Sequence, residues 1–181
     1  MLSCSPTINT GQNLYEEGKY AEAISELSAF VKEHSDSALG HFMLGDALYL
    51  RYTLANLNQS SYKGDLHLAV FHFSLAVALD PHYGEAYSQR GVVRLALGDN
   101  SGAKQDYDAA ITINPRLDRA YFNRGYWYEI HHLHREAIRD YETYMSLAVD
   151  ELWKHETEKR LHRLRHSNLP NRGHIPEDLV L

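Results

Sequence analysis

The chain has 181 residues, of which 44% are hydrophobic and 23% are charged, with five prolines and eleven glycines. This length and composition support one ordinary hydrophobic core and exclude the disordered and fibrous classes. The sequence contains no run of about 18 apolar residues and no basic segment followed by an apolar stretch at its start, so it predicts neither a membrane span nor an intact signal peptide.

The charge is unevenly distributed along the chain. Residues 1–151 carry 12 Lys or Arg against 20 Asp or Glu, a net charge of −8, whereas residues 152–181 carry 6 against 4, a net charge of +2. An acidic body repels a phosphate backbone, which argues against nucleic acid as a partner.

The first six residues, MLSCSP, resemble the junction of a bacterial lipoprotein, where a leucine and small residues precede a lipidated cysteine. On that alternative Cys4 is the anchor of a periplasmic or membrane-anchored protein. Otherwise Cys4 is a small residue at the chain end. As a single cysteine it cannot form an internal disulfide, which fits the expected cytoplasmic location but also any compartment where no bridge is needed.

Two predicted helix pairs follow in the first half of the chain. In residues 4–37, small and apolar residues recur at the places where they recur in a later pair, namely at Gly11, Leu14, Gly18, Tyr20, Ala23, Leu27 and Phe30. Residues 38–83 contain one apolar helix around residues 44–48 and a second around residues 68–76. This pair has 46 residues, and we place a 12-residue insertion near residues 52–65, where Asn, Ser, Gln and Gly indicate a loop.

The next two pairs, residues 84–117 and 118–151, define the repeat length. Pro81 and Pro115 each close an apolar helix and lie 34 residues apart. That period aligns Ala86, Tyr87, Arg90, Gly91, Gly98, Ala103 and Tyr107 with Ala120, Tyr121, Arg124, Gly125, His132, Ala137 and Tyr141. In the last pair Val149 stands where the proline belongs, so we expect its second helix to continue past that point.

This pattern resembles the tetratricopeptide repeat (TPR): an aromatic, a small residue four places on, a turn glycine, an alanine, a second aromatic and a closing proline. The resemblance implies an all-α fold, a right-handed superhelical stack of four repeats covering residues 4–151. An apolar face at Trp153, Thr157, Leu161 and Leu164 predicts a further helix at residues 152–166. Such a helix would cap the stack, since a last repeat otherwise exposes its apolar face. Residues 167–181 contain two prolines and a glycine and indicate an irregular tail.

In the TPR family, the first helices of successive repeats line a concave groove that binds peptides. The resemblance places the partner-binding residues of this chain at the groove positions of repeats 2 to 4: Phe42, Met43, Asp46, Tyr49, Gln89, Arg119, Phe122, Asn123 and Tyr126. Rigid aromatic residues beside amides and charges suit peptide recognition. The alternative is that Phe42, Phe122 and Tyr126 pack against neighbouring helices or the C-terminal tail and leave no open groove.

Some family members bind chaperone C-termini through a clamp of Lys, Asn and Arg at defined groove positions. The corresponding positions of this chain carry other residues in its first three repeats, and only Arg119 and Asn123 of repeat 4 match. We therefore exclude that ligand class but not peptide ligands in general. The positions that differ are Ile8, Gln12, Met43, Glu85 and Gln89.

Recurring polar residues have structural explanations. Arg90 and Asp106 are 16 residues apart, as are Arg124 and Asp140, which predicts an ion pair within each helix pair. The histidines at residues 131–134, and His162 with His166, lack the third ligand that a zinc site needs, so we predict no metal and no cofactor.

No catalytic motif is present, and we expect no enzyme activity. The sequence thus predicts a protein-interaction adaptor or assembly scaffold with a protein or peptide ligand. The alternatives are an envelope lipoprotein anchored through Cys4, or a structural homodimer.

Overall fold

A computed structural model describes residues 7–55 and 62–167, and these residues form nine α-helices and no strand. The all-α prediction is confirmed. Cys4, residues 56–61 of the predicted insertion and the tail from residue 168 lie outside the described residues. The helices are α1 (Ile8–Glu16), α2 (Tyr20–Glu33), α3 (Ala38–Leu54), α4 (Lys63–Leu79), α5 (Gly84–Ala96), α6 (Asn100–Ile113), α7 (Asp118–Ile130), α8 (His134–Leu147) and α9 (Glu151–Ser167).

The chain divides into two compact units, Met1–Pro115 with α1 to α6 and Arg116–Leu181 with α7 to α9. In unit 1 the helices pack as three pairs, and the second helix of each pair also packs against the first helix of the next. Small residues make this close packing possible. Ala23, Ala69 and Ala103 occupy the same place in α2, α4 and α6, and each is fully buried.

Glycines permit the tightest helix contacts. A Cβ atom added to Gly91 of α5 would lie 2.6 Å from a ring atom of Tyr107 in α6. Tyr107 itself is only 1% exposed. The small residue and the aromatic of the repeat pattern, Gly91 and Tyr107, therefore pack directly against each other, as the sequence predicts.

The turns inside three of the helix pairs, α1–α2, α5–α6 and α7–α8, each contain a residue with left-handed backbone. Gly18 and Gly98 have φ angles of 76° and 86°, which glycine adopts without steric cost. His132 holds the equivalent place between α7 and α8 with a φ of 59°. A residue with a side chain rarely adopts that φ, so the backbone of His132 is strained, and the packing of the flanking helices compensates for the energetic cost.

The second pair differs from the others in length. α3 and α4 have 17 residues each, whereas α5 has 13 and α6 has 14. Of the 12 extra residues, seven extend the two helices and five lengthen their connection. The loop composition near residues 52–65 was thus misleading at its two ends, where helical hydrogen bonding and packing outweigh the local preference.

Unit 2 is built around two buried tyrosines, Tyr141 and Tyr144, with Leu161 and Leu164 of α9 packed beside α8. α8 ends at Leu147, because Ala148 takes an extended conformation. The expectation that this helix continues past Val149 is therefore wrong. Asp150 supplies a new start instead, since its carboxylate accepts the backbone N–H of Leu152 at 2.9 Å at the beginning of α9.

Candidate functional site

The first helices of unit 1, α1, α3 and α5, meet around one carboxylate. Asp46 of α3 accepts a hydrogen bond from the Nε2 amide of Gln89 in α5, at 2.6 Å. It also accepts one from the hydroxyl of Tyr15 in α1. Two of the predicted partner-binding residues, Asp46 and Gln89, are thus brought together, and this three-residue contact joins three helices on one face.

Sequence reasoning missed Tyr15. The predicted partner-binding residues come from the groove positions of repeats 2 to 4, whereas the groove positions of the first repeat served only to exclude the chaperone clamp. Tyr15 occupies the twelfth position of residues 4–37, which is a groove position in the family. Applying the same rule to the first repeat would have found it.

Apolar and aromatic groove residues lie on the same helix, α3, as Asp46. Phe42 packs its ring 5.7 Å from that of Phe73 and 4.9 Å from that of Tyr83, measured between ring centroids. Met43 and Tyr49 pack partly buried against the core of unit 1. These side chains therefore serve the fold as well as the surface.

The tyrosines on this face stay protonated at ordinary pH. Burial raises the pKa of Tyr83 to about 12, and the nearby carboxylates Glu85, Asp80 and Asp46 add to the effect. Burial also raises the pKa of Tyr49, and the negative charge of Asp46 is the second cause. Both hydroxyls are therefore available as neutral hydrogen-bonding groups.

In unit 2, the remaining predicted residues lie on α7. The ring of Phe122 contacts Tyr141 and Tyr144 of α8 and meets Trp153 of α9 edge to face, with centroids 5.3 Å apart. Tyr126 is 39% exposed and carries the guanidinium of Arg160 over its ring at 5.3 Å. Arg119 is exposed and Asn123 is half-buried. The packing of Phe122 corresponds to the alternative interpretation of the groove aromatics.

A polar network fastens α9 to α7 and α8. Glu129 of α7 accepts hydrogen bonds from the hydroxyl of Tyr141 at 2.6 Å and from Arg160 of α9 at 2.9 Å. Burial raises the pKa of Tyr141, and the bond to Glu129 raises it further. Burial alone lowers the pKa of Arg160, but its bonds to Glu129 and Tyr141 outweigh this and raise it.

The predicted Arg–Asp pairs are confirmed. Arg90 donates to both carboxylate oxygens of Asp106 at 2.9 and 2.7 Å, and Arg124 does the same to Asp140 at 2.7 and 2.9 Å. Asp106 also accepts from Arg94 at 2.9 Å. These bidentate pairs lie between the helices of a pair and are part of the fold.

The histidines of the two groups contact neighbouring rings. His131 stacks on Trp127 with centroids 3.9 Å apart, and its Nδ1 donates to the carbonyl of Trp127 at 2.7 Å. The rings of His162 and His166 lie 4.2 Å apart on α9. Within residues 7–55 and 62–167, no three His, Cys, Asp or Glu side chains are grouped as metal ligands would be.

Comparison with known proteins decides the family. Family models described as tetratricopeptide repeat match residues 8–56 and residues 84–117. The chain belongs to the tetratricopeptide repeat family. Tetratricopeptide repeat protein 36 of Danio rerio is 32% identical over 95 residues, which is 50% of this chain and 51% of that protein. The chain spans about half the length of this relative and less of the other curated relatives that it matches.

Solved structures share the TPR fold. A thermophilic TPR protein of Thermus thermophilus aligns with a TM-score of 0.72 at 19% identity, covering 86% of this chain and 78% of that one. The first TPR of Spaghetti (RPAP3), solved with the HSP90 peptide SRMEEVD, aligns with a TM-score of 0.57 at 21% identity, covering 72% and 94%. Among the helices described for this TPR chain, none is long and apolar enough to cross a membrane.

Proposed function

We propose that this protein is a non-catalytic adaptor or assembly scaffold, and that it binds a protein segment on the face of unit 1 formed by α1, α3 and α5. The observation that carries the proposal is the carboxylate of Asp46, which is partly exposed and held by Tyr15 and Gln89. A carboxylate has about four acceptor sites, so two donors leave capacity for a ligand. Two hydrogen bonds from the protein also fix its position before a ligand arrives.

The charge of this face favours a basic ligand. Among the described groove positions of the first three repeats, Glu16, Asp46 and Glu85 are acidic and none is Lys or Arg. The body of the chain has a net charge of −8, which attracts basic segments over longer distances as well. We therefore propose an extended segment whose Lys or Arg side chain reaches Asp46, with Tyr49 and Met43 contacting its apolar neighbours.

This ligand differs from that of the Spaghetti structure, whose HSP90 peptide is SRMEEVD. A peptide that ends in acidic residues needs basic groups at the clamp positions, where this chain has Met43, Glu85 and Gln89 in repeats 2 and 3. We expect the acidic face of unit 1 to repel such a peptide.

A peptide-binding titration tests the proposal. Fluorescence anisotropy compares an extended Arg-containing peptide library with SRMEEVD, using the wild type, Asp46→Asn and Glu22→Gln. Asp46→Asn keeps an oxygen for Gln89 but removes the charge, and we expect it to weaken basic peptides about tenfold, as loss of a charge-assisted hydrogen bond does. Glu22→Gln neutralises an exposed acid of α2 and should change nothing. Preference for SRMEEVD, or equal effects of the two variants, would refute the proposed site.

We propose Arg119, Asn123 and Tyr126 of α7 as a separate partner-contacting surface of unit 2. Phe122 is proposed as their packing support, because its ring already contacts α8 and α9. The lipidated alternative at Cys4 is a prediction that mass spectrometry of the native protein would decide, and the cytoplasmic location is a prediction that cell fractionation would decide.

A further inference from the structure

The outer surface of α4 is unlike that of the other second helices. The fully buried alanines Ala23, Ala69, Ala103 and Ala137 mark equivalent places in α2, α4, α6 and α8. Each helix has two outward positions: the residue directly before this alanine and the residue two places after it. α4 carries Leu68 and Phe71 there, exposed by 50% and 55%. The other helices carry Glu22 and Ser25, Gly102 and Gln105, and Glu136 and Arg139.

The apolar surface runs the whole length of α4. Leu75 and Leu79 continue the stripe one and two turns beyond Phe71, and Leu79 is 42% exposed. Residues 66–79 contain no Asp, Glu, Lys or Arg. His67 is the one exposed polar side chain among these residues. A helix of a globular protein usually presents a polar face to water, so a contiguous exposed apolar surface indicates a partner on that side of the helix.

The two ends of this stripe complement each other. At the N-terminal end α4 has exposed Lys63 and Gly64, and a Cβ added to Gly64 would meet no atom of the residues that the structure describes within 4 Å. At the C-terminal end it has exposed Leu79 and Asp80. In an antiparallel pair of α4 helices related by a two-fold axis near Phe71, Leu68 faces Leu75 of the second copy and Leu79 reaches the space beside Gly64.

Electrostatics favour the same arrangement. Lys63 lies at the N-terminus of α4, the positive end of the helix dipole, and Asp80 lies at the C-terminus, the negative end. In the antiparallel pair, Lys63 of each copy lies beside Asp80 of the other. A membrane surface is a poorer occupant, because the exposed face of α4 has a single cationic residue at one end and the chain has a net charge of −6.

We propose that the α4 stripe, defined as Leu68, Phe71, Leu75 and Leu79, is the interface of a two-fold symmetric homodimer with antiparallel α4 helices. This surface is separate from the face formed by α1, α3 and α5. A single helix face is smaller than the roughly 800 Å² per partner of a standard interface, so the dimer is weak and forms in about the micromolar range.

Sedimentation equilibrium of the full chain across the micromolar range tests the dimer. The variant Leu68→Glu/Phe71→Ser gives α4 the residues that α2 carries at these positions and is therefore compatible with the fold. We expect it to weaken dimerisation about a hundredfold, because each substitution acts twice across a two-fold interface. The control Val149→Ser/Leu152→Glu alters two apolar residues that are more exposed, at 87% and 76%, and should leave the dimer unchanged.

Cysteine cross-linking tests the orientation. A disulfide needs two Cα atoms within about 7 Å of each other. In a Cys4→Ser background, Phe71→Cys places both cysteines near the two-fold axis, so we expect a disulfide between copies on mild oxidation. Leu79→Cys lies eight residues, or about 12 Å, from the axis and should not. Cross-linking of both variants would indicate parallel helices. A wild type that stays monomeric, or a Leu68→Glu/Phe71→Ser variant that dimerises like wild type, would overturn the proposal.

Discussion

The α5–α6 pair and the α3–α4 pair share one packing rule but differ in nearly everything outside it. In both, a glycine of the first helix faces an aromatic of the second: Gly91 faces Tyr107 and Gly45 faces Phe73. The α5–α6 pair keeps the 34-residue repeat and a polar outer face. The α3–α4 pair is 12 residues longer and has an apolar outer face. The repeat therefore constrains the contact inside a pair, while the outer surface and the helix ends are free to change.

The largest expected effect comes from breaking that shared contact. In Gly91→Ala, the new methyl group would lie 2.6 Å from Tyr107 and 3.1 Å from the carbonyl oxygen of Ala103, so we expect a loss of about 3 kcal/mol in the free energy of unfolding. Gly45→Ala meets the Phe73 ring at 3.1 Å and should cost about 1 kcal/mol. Urea denaturation measures both.

Gly64→Ala is the matched control for these glycines. Within a single chain, its Cβ would meet no atom of the described residues within 4 Å, and the residue lies in the first turn of α4, so helix propensity alone should stabilise the monomer by about 0.5 kcal/mol. A similar loss in all three variants would show that the contact geometry does not decide the cost.

The second comparison is between ion pairs. Asp106 in the α5–α6 pair is 3% exposed and binds Arg90, while Asp65 in the α3–α4 pair is 9% exposed and binds Arg51. We expect Arg90→Met to lower the free energy of unfolding by about 2 kcal/mol, because a buried carboxylate loses a bidentate partner while Arg94 remains.

Arg51→Met should cost about 1 kcal/mol, since Asp65 lies in the first turn of α4, where the helix dipole stabilises it, and Arg51 is 29% exposed. Thermal denaturation in low and high salt gives both values. A larger loss for Arg51→Met than for Arg90→Met would contradict this ranking.

The last comparison concerns a contact between two histidines, one on α3 and one on α4. His41 is 5% exposed, and its Nδ1 lies 3.0 Å from Nδ1 of His72. Because Nε2 of His41 donates to the carbonyl of Ser35 at 3.2 Å, neutral His41 has an acceptor at Nδ1, and His72 donates to it. Protonation of His72 at Nε2 would leave this hydrogen bond in place but would put a positive charge in a half-buried site beside His41.

Burial lowers the pKa of His72 from 6.5 to about 4, and the electrostatic effect of the nearby His41 is a second, smaller cause. The unfolded chain then takes up a proton before the folded one, so this stabilisation is complete above pH 6.5 and is lost as the pH falls towards 4. Allowing for the partial exposure of His72, we expect wild type to lose about 1 kcal/mol more than His72→Gln between neutral pH and about pH 5. Parallel urea titrations at the two pH values measure the difference, and equal losses would exclude His72 as the cause.

The repeat period and the small residues predicted the fold well, because each reports on a contact that every repeat must make. The Arg–Asp pairs were predictable for the same reason: they recur at equivalent positions. Features of a single repeat gave no such signal. The extension of α3 and α4 into residues with loop preferences depends on tertiary packing. The break between α8 and α9 depends on the extended backbone of Ala148 and on Asp150, which caps the start of α9.

The candidate site was predicted in part. Family positions indicated Asp46 and Gln89, and their hydrogen bond puts both on one face of unit 1. The same rule, applied to repeats 2 to 4, did not distinguish exposed side chains from those used in packing. Phe122 illustrates this limit, because only the position of α9 decides that Trp153 covers its ring.

Affinity capture from native lysate, quantified by mass spectrometry, tests the central claim that unit 1 binds a partner through Asp46. Wild type, Asp46→Asn and Glu22→Gln are compared after circular dichroism has shown that all three are folded. We predict at least one protein with an exposed basic segment that wild type and Glu22→Gln retain and Asp46→Asn loses. Equal capture by all three chains would contradict the account and move the binding surface away from Asp46.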